Sequence, residues 1–358
     1  MNVNFTKLIS SAAAVLAVGS SAYAQQKAAA PMPASSCCFE QGYELCNDKF
    51  PAAYNAAARV DVQCSWDFFV TGSFIYWHVD QDAMDLAYPY AGGVAVGTVL
   101  DQKFDYKPGF KVGLGVNFDH DNWVGFVEYT WFHQKTDLGT TVAPDGDTWH
   151  TTSWFDARTN VTAISSKWKT NLDILDATLS RPYYQGRKLT ILPFAGLRGA
   201  WIRQNLKIDA TTDATDYYSK NHSHSWAVGA LAGVQAHWLL GWGFRFEGDV
   251  SGSVLYTRYT KVSTNEYNTV GTSFGNLNLH GYNTVRPMAG LTAGFGWGSY
   301  FDRQNYHFDL LATYDFNVLW SQNMMRHAAN LANSASGIAA QPADLHLQGV
   351  TVTARFDF

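Results

Sequence analysis

Ionisable residues recur at every second position in the second half of the chain, a spacing that could line a conduit. Arg245, Glu247 and Asp249 alternate with Phe244, Phe246 and Val250. Asp309 and Asp315 lie in the same phase between Phe308, Leu310, Tyr314 and Phe316, and Arg355 and Asp357 alternate with Ala354, Phe356 and Phe358. Successive side chains of a strand point to opposite faces, so each segment has one apolar and one charged face. Charges on the inner wall of a closed sheet tune which ions pass. Extending the alternation along the chain gives a lumen set of Lys111, Glu128, Asp173, Asp176, Arg198, Arg245, Glu247, Asp249, Asp309, Asp315, Arg355 and Asp357. Acids outnumber cations in it, which predicts a weak cation preference. The plainer reading is that these groups pair and fill a narrow bore.

Other residue types invite other chemistry. His78, Asp80, Asp82 and Asp85 cluster where the first strand should exit, and His133 and Asp137 lie at another rim. A carboxylate beside a histidine could activate water, although solvated loop tips are rich in such residues. Ser223 between His222 and His224 points away from both on a strand, and two histidines alone make a poor metal site. No G-x-S-x-G, H-E-x-x-H or phosphate-loop pattern is present, so the chain reads as a non-enzyme with no cofactor. Cys37, Cys38, Cys46 and Cys64 all precede the strands. In an exported protein they can oxidise. A Cys37–Cys38 bond is strained, which leaves two internal pairings or bonds to other chains. Their spacing lacks the paired C-x-x-C of a zinc site.

These residues need a scaffold, and the composition specifies its kind. Charged residues are only 15%, against about 25% in soluble domains, while aromatics reach 15% and glycines number 30. A net charge of −5 is too mild to suggest a nucleic-acid partner. Leu8 to Val18 is a short apolar run after Lys7, followed by Ala22-Tyr23-Ala24, which reads as a signal peptide over 1–24. Residues 25–64 read as a periplasmic, cysteine-bearing extension, and 65–358 as an outer-membrane β-barrel.

Ten alternating segments make up that barrel: 65–79, 106–118, 122–134, 166–180, 187–206, 222–239, 242–260, 284–298, 304–320 and 344–358. Trp226, Val228, Ala230, Ala232, Val234, Ala236 and Trp238 should face lipid. Trp226 and Trp238 would then stand about 30 Å apart along the membrane normal, the spacing of two aromatic girdles. The connections alternate long and short: 80–105, 135–165, 207–221, 261–283 and 321–343, against turns near Asp119, Gln185, Gly241 and Asp302. Outer-membrane barrels sort outer loops from periplasmic turns in this way, so both termini should be periplasmic. Pro193 should mark a bulge, and the alternation slips phase near Ile174-Leu175. A hairpin hidden in 80–105 or 135–165 would raise the count to twelve. The alternating final strand ending on Phe356 and Phe358 is the signal expected for the barrel assembly machinery.

Ser65-Trp66-Asp67-Phe68-Phe69, Phe74-Ile75-Tyr76-Trp77 and the stretch Arg181-Pro182-Tyr183-Tyr184-Gln185-Gly186 through Leu189-Thr190-Ile191-Leu192-Pro193-Phe194-Ala195-Gly196-Leu197-Arg198 carry a family likeness. From about Tyr54 onward the chain resembles the major outer membrane proteins of Chlamydia-like and Legionella bacteria. The resemblance implies an abundant, pore-forming envelope protein, a general porin for ions and small solutes. It also implies partners in outer-membrane lipid and in other envelope proteins joined through disulfides. Chlamydial relatives scatter cysteines through the barrel; here they are confined to the extension. Two other classes compete: a non-conducting structural or adhesive barrel, and an omptin-like protease using the rim Asp and His residues.

Overall fold

Alternating segments cannot bury one face alone, so they pair edge to edge. A computed structural model describes residues 60, 62, 67–118, 122–143, 148–155, 160–185, 187–279, 281–333 and 342–358. Ten long strands form the wall: β1 (Phe68–Gln81), β2 (Tyr106–Asn117), β3 (Val124–Val142), β4 (Ala163–Ser180), β5 (Leu189–Thr211), β6 (Asp216–Gly241), β7 (Phe244–Asn268), β8 (Tyr282–Phe301), β9 (Tyr306–Asn323) and β10 (Ala343–Asp357). Each pairs antiparallel with its chain neighbours, and β1 pairs with β10 to close the ring. The seam runs from Phe69 opposite Asp357 to Gln81 opposite Leu345. The Phe358 amide donates to the Phe68 carbonyl at 3.1 Å. A closed ring leaves no open edge in lipid, where an unpaired peptide group is costly.

The two ends of the barrel differ. At the turn end the strands are joined by 118–123, 181–188, 242–243 and 302–305. Trp242 and Gly243 have φ of 53° and 83°, the two left-handed positions of a type I′ hairpin. This tight turn replaces the one expected at Leu240-Gly241, and it leaves Trp242 on the rim. At the other, loop end the joins are 82–105, 143–162, 212–215, 269–281 and 324–342.

One expected loop is not a loop. Residues 207–221 continue β5 and β6 to a short turn at 212–215. Inward-facing Leu206, Ile208, Ala210 and Ser219 are buried there. At 26 residues, β6 runs about 65 Å along the axis at a tilt near 40°, far beyond the roughly 25 Å apolar band of a barrel. Five short strands in the first two loops form a separate small sheet, in which Asp85–Ala91 pairs with Thr148–Thr151. They do not enlarge the wall, so the barrel has ten strands.

Two expected irregularities are absent. Pro193 pairs with Val234 without a register shift, and the β4 ladder on its other side ends at Phe194 opposite Ser180. Pro287 likewise lies one residue past the end of the β9 ladder, at Met288 opposite Leu319. Each proline sits where one ladder has stopped, as a residue without an amide hydrogen should. Around Ile174 the pairing with β3 and β5 is unbroken. Residues 173 and 176 must therefore occupy opposite faces. The expected leader 1–24 and Cys37, Cys38, Cys46 and Cys64 lie outside the described residues.

Helix α1 (Met325–Asn333) follows β9. Its sequence, Met-Arg-His-Ala-Ala-Asn-Leu-Ala-Asn, has no β-branched residue. Asn323 Oδ1 accepts the Met325 amide at 2.8 Å and caps its start.

Candidate functional site: a charged chamber beneath an apolar stopper

Inward side chains divide the bore into two layers. The layer toward the turn end is charged. There Arg245 bridges Glu247, at 3.1 Å, and Asp309. His237 lies 3.4 Å from Glu247. Asp357 takes Arg355 at 2.5 Å and His307 at 3.0 Å. Midway along the barrel, Lys111 stands 3.9 Å from Glu128 and 3.6 Å from Asp315. Arg198 makes a two-pronged contact with Asp176, both prongs at 2.7 Å. Thr351 donates to Asp315 at 2.6 Å, and Trp77 donates to Thr351 at 3.2 Å. Asp249 Oδ2 is buried with no hydrogen-bond partner among the described residues. Burying an ion is costly unless it is paired, and this accounts for nearly every inward charge having a counterpart across one or two strands.

Solvent reaches this layer. The side chains of Lys111, Glu128 and Arg355 keep 20%, 23% and 27% of their exposure. The turn-end mouth is narrowed by Phe69 stacked on Phe126 at 5.6 Å, with the Arg355 guanidinium 3.7 Å above Phe69. Gly115 makes room for that ring, because a Cβ there would fall on Phe69.

Toward the loop end the bore is filled by apolar side chains interleaved with buried polar ones such as Gln134, Gln204 and Asn221. Phe132, Trp168, Leu206 and Ile208 point inward and are fully buried. They join a single apolar cluster with residues that are not part of the wall: Leu86, Trp154, Phe155, Met325 and Ala329. The stopper is therefore made partly of wall and partly of the small sheet and α1. Arg326 ties these pieces together. Its Nη2 lies 2.6 Å from Asp85 Oδ2, and Nη1 donates to the Asp85 carbonyl and to Thr152 Oγ1 at 3.1 and 3.2 Å. Its guanidinium stacks 4.8 Å over Trp154, whose Nε1 donates to the Asp85 carbonyl at 2.9 Å. Burial lowers the Arg326 pKa, and Asp85 restores part of it. At this end too, the Asp101 carboxyl is pushed above its ordinary value by burial and by Asp85 and Asp80.

Asp173 departs from the lumen set. It lies on the outer wall, accepting Tyr129 Oη at 2.7 Å and contacting His133 Nε2 at 3.1 Å. Expecting it inside required the phase slip that the ladder does not contain. The other eleven charges lie on the inward phase. His237 and His307 share that phase and touch acids, a pairing that strand alternation alone could have flagged. Arg326 carried no such signal, since it lies on a helix inside a loop.

The remaining candidates separate. His78 contacts the Phe104 carbonyl at 3.3 Å rather than an acid. Asp85 is held by Arg326. Asp82 lies 3.4 Å from His346, and these two with Asp344 place their ligand atoms within 4.8 Å of one another at the loop end of the seam. That set would suit a divalent cation, although Asp82 is exposed and Asp344 already accepts the Ser321 amide at 2.6 Å. His222 and His224 share Asn205 Oδ1, and Ser223 is buried on the opposite face.

A closed antiparallel ring, apolar outside and charged within, defines an outer-membrane β-barrel. Residues 61–358 match the family model described as the Legionella pneumophila major outer membrane protein precursor, and the chain belongs to that family. Its place is the outer membrane. No curated protein matches. Similar solved structures include the Escherichia coli outer membrane protease OmpT, at 11% identity and TM-score 0.42, covering 85% of this chain and 99% of that one. The Yersinia pestis attachment invasion locus protein Ail matches at 8% identity and TM-score 0.25, covering 81% and 97%. A FadL homologue of Pseudomonas aeruginosa matches at 8% identity and TM-score 0.28, covering 81% and 89%.

Proposed function

We propose that the protein is a pore-forming envelope barrel whose narrow conduit is held shut by a loop-borne stopper, rather than an open general porin. One observation carries this reading. The charged chamber is blocked by residues from loops and α1 as well as by the wall. In this reading the loop end faces outward, both termini are periplasmic, and Phe356 and Phe358 present the aromatic strand end to the assembly machinery. Acids outnumber cations in the chamber, so the open state favours cations. A protease reading finds less support, because His78 and Asp80 do not form a pair.

The complete filling of the bore at the stopper favours a second reading, a structural barrel that never conducts. Planar-bilayer recording of the refolded protein separates the two. The gated reading expects rare, brief, cation-selective openings. A silent membrane under strong applied voltage, with correctly folded protein, leaves the structural reading standing. A reversal potential favouring anions overturns the selectivity.

A further inference from the structure

Beyond the bore, the outer wall carries a charge pattern that conduction does not use. On β4, β5 and β6 the outward residues Lys167, Lys207 and Lys220 stand directly opposite one another in one row. Along the next row toward the turn end, Lys135 faces Lys169. Arg203 and Lys261 flank His224 in the row after that, and Arg258 stands beside Trp226 in the fourth. Neighbouring strands are about 4.8 Å apart, so these cations form one continuous field across β3 to β7. Like charges directly opposite on a sheet repel. Asp137 stands opposite Lys167 and lies 3.4 Å from Lys135, Asp209 follows Lys207 on the same face, and the nearby Asp173 is engaged by Tyr129 and His133, so cations outnumber acids in the field. The field is confined to one side. The corresponding ends of β1 and β10, with the residue that follows β1, carry Asp80, Asp82 and Asp344 instead.

Its height is as informative as its charge. The fourth row contains Trp131, Trp201 and Trp226, the aromatic belt that marks the lipid boundary. Immediately below it the wall is apolar and exposed at Leu175, Leu197 and Val228. Lysines stand above a tryptophan belt, and the belt stands above an exposed apolar wall. An amphiphile with a phosphate-bearing headgroup and acyl chains matches that order.

We propose that β3 to β7 form a binding site for a phosphorylated lipid of the outer leaflet, with phosphates on the lysine rows and acyl chains against the apolar wall below the belt. The proposal rests on the outward orientation of the loop end given above. Binding in detergent does not depend on orientation, so the two fail separately. The test titrates the refolded full chain in detergent with diphosphoryl lipid A, read by native mass spectrometry. The wild type is expected to bind it, to bind the dephosphorylated lipid at least tenfold more weakly, and to be displaced poorly by inorganic phosphate. The K167Q/K207Q/K220Q variant is expected to lose about 100-fold in affinity, and K167R/K207R/K220R to keep it. Equal binding of phosphorylated and dephosphorylated lipid by the wild type overturns the site without needing any variant. So does full competition by inorganic phosphate, or unchanged affinity in the folded glutamine variant.

Discussion

Replacing Arg326 by alanine should loosen the stopper. The side chain holds Asp85 and Thr152 and covers Trp154, joining α1 to the small sheet across the mouth of the bore. Breaking a fully buried ion pair costs about 3–5 kcal/mol. Asp85 keeps 35% of its side-chain exposure, so water takes over part of its solvation and about 2 kcal/mol is the better expectation. In a two-state opening that amount multiplies the open fraction roughly 30-fold. Single-channel recording of R326A should therefore show openings one to two decades more frequent or longer than the wild type, at unchanged unit conductance. Arg326→Lys should fall between, keeping the charge but losing the planar contact with Trp154. Limited proteolysis of the loop end gives an independent readout. If R326A is cleaved faster yet gates like the wild type, the stopper is not the gate. If neither readout changes, Arg326 is not the latch.

Further outcomes follow from the same geometry. Glu128→Gln combined with Asp315→Asn removes two acids from around Lys111; the reversal potential in a salt gradient should move toward anions, and no movement would place the selectivity elsewhere. Ala232→Arg puts a charge on the lipid face midway between Trp226 and Trp238, and urea titration in vesicles should show a loss of about 2–4 kcal/mol. Asp101 has a raised pKa in the fold, so its contribution is fully present below its unfolded value near 4 and is lost as pH rises from there through the raised value in the fold. Asp101→Asn should therefore slow proteolysis of the loop end at neutral pH and change little below the unfolded value. Gly229 packs so closely that an added Cβ would fall on the Val254 carbonyl, and Gly229→Ala should lower the yield of heat-modifiable, folded barrel.

How much was legible in advance depends on the range of the interaction. The inward and outward faces of β6, β7 and β9 followed from alternation, because a strand's geometry is local. The same logic misplaced Asp173: from sequence alone a bulge and an unbroken strand fit that stretch equally, and only the ladders with β3 and β5 choose between them. Segment 207–221 looked like a loop because its outward residues are polar. It is a strand because its inward residues meet a core assembled from segments far away in the chain.

The sequence by itself determined an antiparallel barrel of about ten strands, its two faces, most of the alternation of its connections and most of the charges in its bore. Each of these depends on the order of residue types over ten or twenty positions. The tertiary structure decided which charges pair, that the bore is stopped by α1 and the Trp154 loop, and that lysines scattered over three strands line up in one row. Those outcomes depend on strand register and loop packing, where residues more than a hundred positions apart come within a few ångströms and no local pattern records which ones will meet.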